Sequence, residues 1–159
     1  MTDLKLENVE YVVVHCSDTP STMNIGVKEI DEWHTARGFD MIGYHVVIRR
    51  DYGELGGLIE FGRPWDKIGA HVRSYNSKSI GICMVGGMDK GSKSENNFTK
   101  DQFETLEKVL KFFTGIFPKV IVQGHRDFPN VAKSCPCFDA NKWWLKQSVY
   151  SIWNRLFRF

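Results

Sequence analysis

A single α/β domain, with a central mixed β-sheet flanked by helices, is what these 159 residues predict. Three observations predict it. The runs YVVVH at 11–15 and SIGICMV at 79–85 are continuously apolar and rich in β-branched residues, as strands buried on both faces are. Segments between and after them carry apolar residues at helical spacing. Strand-like and helix-like segments alternate over 1–159, with no internal repeat and no low-complexity linker to divide a chain short enough for one core.

The elements follow in order. Tyr11–His15 is a strand with His15 near its C-terminal end, and Cys16 and the turn residues SDTPST end it. Val27–Arg37 is an amphipathic helix through Val27, Ile30 and Trp33 or His34, stopped by Gly38. GYHVVIRR at 43–50 is a second strand, RRDYGEL at 49–55 a turn, and a short strand lies near 57–60. The strand at 79–85 ends at Gly86-Gly87, and MDKGSKSENN at 88–97 reads as a mobile surface loop.

Thr99 and Gln102 form a capping-box pattern ahead of the stripe Phe103, Leu106, Val109, Leu110 and Phe113, which predicts a helix. Lys119–Gln123 is a further strand, and a loop from Gly124 leads into a helix from about Asp139. The last segment, KWWLKQSVYSIWNRLFRF, is aromatic and basic. Trp143, Trp144, Val149, Trp153 and Leu156 read as the face of a terminal helix that covers the core; the other reading is a surface offered to a wall or membrane.

Composition excludes several classes. An apolar share of 42% and a charged share of 25% are those of an ordinary globular protein. A formal charge of +2 without a basic run excludes nucleic acid as the main partner. No stretch reaches the roughly 20 apolar residues of a membrane span. The acidic residues near the N-terminus do not read as a secretory signal, so a cytoplasmic protein that acts elsewhere only after release is expected. In such a compartment the cysteines at 16, 83, 135 and 137 are reduced or bound to metal.

The chemistry-bearing residues gather in two places. His15 and His125 each follow or end a strand, and sites in α/β sheets form at strand ends. His125 and Cys135 share one loop rich in Gly, Pro, Asn and Ser, which can fold both to one point. Imidazole and thiolate are the donors zinc prefers, and three protein ligands leave a fourth position open. Lys133 places a cation beside Cys135, suited to negative charge on a tetrahedral intermediate. On the residues alone Cys137 competes with Cys135 as the thiolate, and Tyr44 reads as a packing residue. Cys16, Cys83, His34 and His45 read as structural, with Cys16 and His45 facing away from their neighbours His15 and Tyr44.

The segments VVVHCSDTP, WHTARGFDMIGYHVVI, GAHVRSYNSKSIGICMVGG and GHRDFPNVAKSCPCFD, in that order, resemble the phage T7 lysozyme-type amidases. These belong to the amidase-2 and peptidoglycan recognition protein superfamily, and the resemblance runs from about residue 9 to about residue 145. It implies one zinc ion per chain on His15, His125 and Cys135, at the end of the sheet. By its pattern of lysine, small residue, cysteine and proline it favours Cys135 over Cys137, and Cys137 then reads as a small core residue. It implies catalytic roles for Tyr44 and Lys133, and substrate contacts at His71, on the rim of the groove, and at Asn76. The implied reaction is hydrolysis of the amide between N-acetylmuramic acid and L-alanine in peptidoglycan, by a monomer. Superfamily members without the zinc ligands only bind peptidoglycan; the five residues retained here favour an enzyme. T7-type relatives also bind a phage RNA polymerase, which the resemblance offers as a partner by analogy alone.

Overall fold

The computed structural model describes residues 1–50 and 56–156. In chain order its elements are β1 (Tyr11–Cys16), β2 (Thr19–Pro20), α1 (Val27–Thr35), β3 (Val46–Ile48), β4 (Ile59–Phe61), β5 (Ser79–Met84), β6 (Gly87–Met88), α2 (Lys100–Ile116), β7 (Ile121–Gly124) and α3 (Ala140–Leu156). Five strands form one sheet in the order β4-β3-β5-β1-β7, and β2 pairs with β6 separately. β1 runs parallel to both β5 and β7, β3 parallel to β5, and only β4 is antiparallel. The domain is α/β with a mixed sheet, as expected.

Side-chain alternation along the central strands sorts the core into two faces. Val12 and Val14, Ile80, Ile82 and Met84, and Val46 and Ile48 pack with Leu106, Val109, Leu110 and Phe113 of α2 and with Ala140 at the start of α3. Val47 and Cys83 point the other way, onto Ile30 of α1, and Val13 packs with Val72 and Phe128. His15 stands opposite Cys83 in the β1–β5 register, at the C-terminal end of the parallel strands. That is where α/β sheets place their sites.

The capping box of α2 forms as predicted, with Thr99 Oγ1 accepting from the Gln102 N–H at 3.2 Å and Gln102 Oε1 from the Thr99 N–H at 3.1 Å. Gln102 does more than its local pattern requires. It is fully buried, and its Nε2 donates to the carbonyls of Ile48 at 3.2 Å and Val85 at 2.9 Å, tying the helix to the ends of two strands.

Several expectations are corrected. α1 stops at Thr35, and it buries Ile30 and His34 while Trp33 is 40% exposed, so His34 rather than Trp33 completes its apolar stripe. The strand expected over 43–50 narrows to Val46–Ile48 because Arg63 N–H and Gly62 N–H take the Tyr44 and His45 carbonyls outside a regular ladder. The segment at 88–97 is held rather than loose: Gly87–Met88 pairs with β2, Met88 bridges Ser94, and Asp89 Oδ1 accepts from the Gly91 and Lys93 amides, both at 2.8 Å. Of the expected α3 face, Trp143 and Trp144 pack on the core, whereas Val149 and Trp153 are 63% and 61% exposed. The turn expected at 49–55 falls at 51–55 outside the described residues, as does the Leu156 side chain.

Candidate metal centre

His15, buried to 1% exposure, lies at the end of β1, and His125 begins the turn that follows β7, the neighbouring strand. Parallel pairing of the two strands therefore brings the rings together, with centroids 4.6 Å apart. Cys135 returns to them because the Arg126 N–H donates to the Cys135 carbonyl at 2.8 Å, closing the loop on itself. Gly124 makes that closure possible: a Cβ there would stand 2.6 Å from Pro136 Cδ. One donor atom from each of His15, His125 and Cys135 lies within 4.8 Å of the other two.

The donor set fits a tetrahedral zinc. Nitrogen and sulfur ligands at zinc's bond lengths stand about 3.6 Å apart around a tetrahedral centre. His15 Nδ1 and Cys135 Sγ are 3.8 Å apart. The Cys16 backbone N–H donates to Cys135 Sγ at 3.2 Å, a contact that stabilises negative charge on sulfur. Cys137 faces elsewhere. Its Sγ–H donates to the Gly87 carbonyl at 3.1 Å, and burial pushes its thiol up to about 12. It is half-buried beside Cys16, the two sulfurs 3.9 Å apart, rather than a core residue. Cys16 and Cys83 are buried as expected; the contact with Cys135 and then burial raise the Cys16 thiol, and burial raises that of Cys83.

His125 and Cys135 line a cleft of about 710 Å³ together with Trp33, His34, Arg37, Tyr44 and Lys133, and His15 lies buried behind it. Tyr44 is set over His15 with ring centroids 5.0 Å apart, and burial raises its phenol well above the usual range, so it stays protonated. Burial lowers His15 well below the usual imidazole range, and His125 is lowered by burial and by the Lys133 ammonium. Both rings are therefore neutral near pH 7, the form that donates a lone pair to metal.

His71 and Asn76 are placed differently from the other expected site residues. His71 is 9% exposed and bonds His15, with Nδ1 3.0 Å from His15 Nε2. Asn76 Oδ1 accepts from the His71 and Val72 amides, both at 2.8 Å, and so fixes the loop that carries His71. Neither lines the cleft. His34 and His45 each use Nδ1 to accept a backbone N–H, from Gly43 at 2.8 Å and Gly81 at 2.9 Å, and His34 also lines the cleft. Sequence reasoning missed the Cys16 amide and Ser79, which sits behind His71; neither carries a local signal.

The class these features define is a five-stranded α/β domain in which two imidazoles and a thiol meet at a strand end and could hold a metal ion. Residues 5–138 match the Amidase_2 family, N-acetylmuramoyl-L-alanine amidase, and the chain belongs to that family. It is 42% identical over 139 residues to the endolysin of Enterobacteria phage K11, covering 87% of each chain. To the endolysin of Escherichia phage T7 it is 36% identical, covering 90% of each. Among solved structures, the N-acetylmuramoyl-L-alanine amidase LysC from Clostridium intestinale URNW superposes with a TM-score of 0.73 at 25% identity, covering 94% of this chain and 91% of that one. No helix among the described residues is long and apolar enough to cross a membrane.

Proposed function

We propose that this amidase is zinc-dependent and cuts the amide between N-acetylmuramic acid and L-alanine, acting on the wall after release from the cytoplasm where it is made. The convergence of His15, His125 and Cys135, the last two of which line the cleft, carries the reading. These three would hold the ion. When bound, zinc supplies Lewis acidity and a water acidic enough to deprotonate near neutral pH.

The chain's own residues supply the rest. Tyr44, protonated and on the cleft wall, orients the attacking water through its hydroxyl. The Lys133 ammonium stabilises the negative charge that develops on the lactyl carbonyl oxygen. The Cys16 amide donates a hydrogen bond to Cys135 Sγ and so orients the sulfur toward the two imidazoles. The departing alanine nitrogen must leave protonated.

Mass spectrometry of digested peptidoglycan tests the bond cut. Intact stem peptides that begin with a free L-alanine amine are expected. New reducing sugar ends or opened peptide cross-links would overturn the assignment. Metal analysis tests the ion: about one zinc per chain and loss of activity with a chelator are expected, and full turnover by metal-free protein would overturn zinc dependence.

A further inference from the structure

His15 has two ring nitrogens, and only an unprotonated one can bind metal. Nδ1 faces Cys135 Sγ at 3.8 Å, while Nε2 faces His71 Nδ1 at 3.0 Å. A hydrogen bond between the two ring nitrogens holds a single hydrogen. Which ring owns it decides whether His15 can act as a ligand.

The residues behind His71 settle the ownership. Ser79 Oγ donates its one proton to the Tyr75 carbonyl at 2.8 Å. The same oxygen stands 3.4 Å from His71 Nε2, and with its proton committed to the shorter bond it can only accept there. His71 therefore carries its proton on Nε2, and its Nδ1 accepts from His15 Nε2–H. The His15 lone pair is left on Nδ1, aimed at the metal position. In the opposite arrangement His71 Nε2 would present a lone pair to an oxygen with no proton to give, and His15 would point an N–H at the site.

The surroundings hold His71 in that orientation. A Cβ at Gly81 would stand 2.7 Å from its ring, and one at Gly69 would stand 2.5 Å away, so glycine at both positions leaves a slot of the ring's thickness. His45 closes another side, edge-on at 5.6 Å between centroids. The Asn76 clamp on the His71 and Val72 amides fixes the backbone of the same loop.

From this chain of donors we infer that His71 and Ser79 are positioning residues that fix the tautomer of His15, so that the metal meets a preset Nδ1 lone pair. The inference rests on the zinc reading above. It gives His71 work behind the ligand instead of on the substrate. Partners of this kind typically change metal affinity by about 10- to 100-fold when removed.

Two measurements on the full-length chain test it. Long-range proton–nitrogen NMR of the metal-free wild-type protein reads the tautomer directly, and Nε2–H on His15 is expected. Competition with a chromophoric chelator then gives zinc affinity. His71→Phe should weaken it about 10- to 100-fold, and His71→Asn, whose Oδ1 can accept in place of Nδ1, should recover most of that loss. Ser79→Ala should weaken it toward the lower end of the same range, and it serves where His71→Phe does not fold. An Nδ1–H tautomer in the wild-type protein, or wild-type zinc affinity in folded His71→Phe, would overturn the inference. A wild-type chain that takes up no zinc would overturn the metal reading itself, whichever tautomer the spectrum shows.

Discussion

The Cys16 backbone N–H donates to Cys135 Sγ at 3.2 Å, while Cys137 Sγ, two residues on, donates to the Gly87 carbonyl at 3.1 Å. The two thiols of one short motif thus occupy opposite electrostatic settings: one sulfur receives a proton donor, the other gives its proton away. Only the first sulfur keeps its lone pairs beside the two imidazoles. Cys135→Ser should therefore weaken zinc binding by more than the roughly 100-fold typical of losing a partner behind a ligand. Cys137→Ser should leave it within a few-fold, since a serine hydroxyl can still donate to Gly87. Equal losses in both variants, read by competition titration, would reverse the ligand assignment.

Lys133 and Tyr44 line the cleft without belonging to the donor cluster. Their removal should separate metal binding from turnover. Lys133→Ala should retain about one zinc per chain and lose about 100- to 1,000-fold in kcat, the usual cost of one donor to a developing oxyanion. Tyr44→Phe keeps the ring against His15 and removes only the hydroxyl, so a loss of about 100-fold with zinc retained is expected. Loss of zinc from either variant would show that the residue supports the site and does not act in the reaction.

What could be read from the sequence was what repeats locally. The Thr99–Gln102 box and the stripe from Phe103 to Phe113 announced α2, and the β-branched runs announced β1 and β5. His15, His125 and Cys135 were legible through short motifs with compatible gaps. The bonds that orient them were not. Cys16 N–H to Cys135 spans 119 positions and His15 to His71 spans 56, and a backbone amide or a buried serine looks the same in sequence whether or not it meets such a partner. Strand order was hidden for the same reason, because β1 takes its neighbours from positions 79–84 and 121–124. The outward Val149 and Trp153 mislead because α3 is apolar on both faces, so its pattern does not say which side meets the sheet.

Gln102 offers a stability prediction that its capping role alone does not make. Gln102→Leu removes the donor shared by the Ile48 and Val85 carbonyls, in a position with no access to water. The Val85 carbonyl then loses its donor and the Ile48 carbonyl keeps only the Val85 N–H at 2.9 Å, which should cost about 2 kcal/mol, equivalent to a fall in Tm of roughly 4 to 8 °C. Thr99→Ala, which breaks only the cap, should cost about 1 kcal/mol. Equal losses in the two variants would mean that the ties to β3 and β5 contribute nothing.

His45 makes the fold sensitive to acid independently of the metal. Its Nδ1 accepts the Gly81 N–H at 2.9 Å, so the neutral ring carries its proton on Nε2 and donates to the Lys67 carbonyl at 2.9 Å. A second proton would have to go onto Nδ1, against an N–H, in a residue only 1% exposed. Burial accordingly lowers the group from 6.5 to about 4. The sign follows from which state binds the proton. Above pH 6.5 neither folded nor unfolded chain protonates this ring, and its contribution to stability is whole. Between pH 6.5 and about 4 the unfolded chain takes up the proton and the folded one does not, so stability falls with pH. Over that window the loss from this one group approaches about 3 kcal/mol. Urea unfolding of the chelator-treated protein at pH 7.5, 5.5 and 4.5 should show it as a falling midpoint at constant slope, and His45→Gln should flatten that dependence. An unchanged pH dependence in a folded His45→Gln variant would assign the acid sensitivity to other groups.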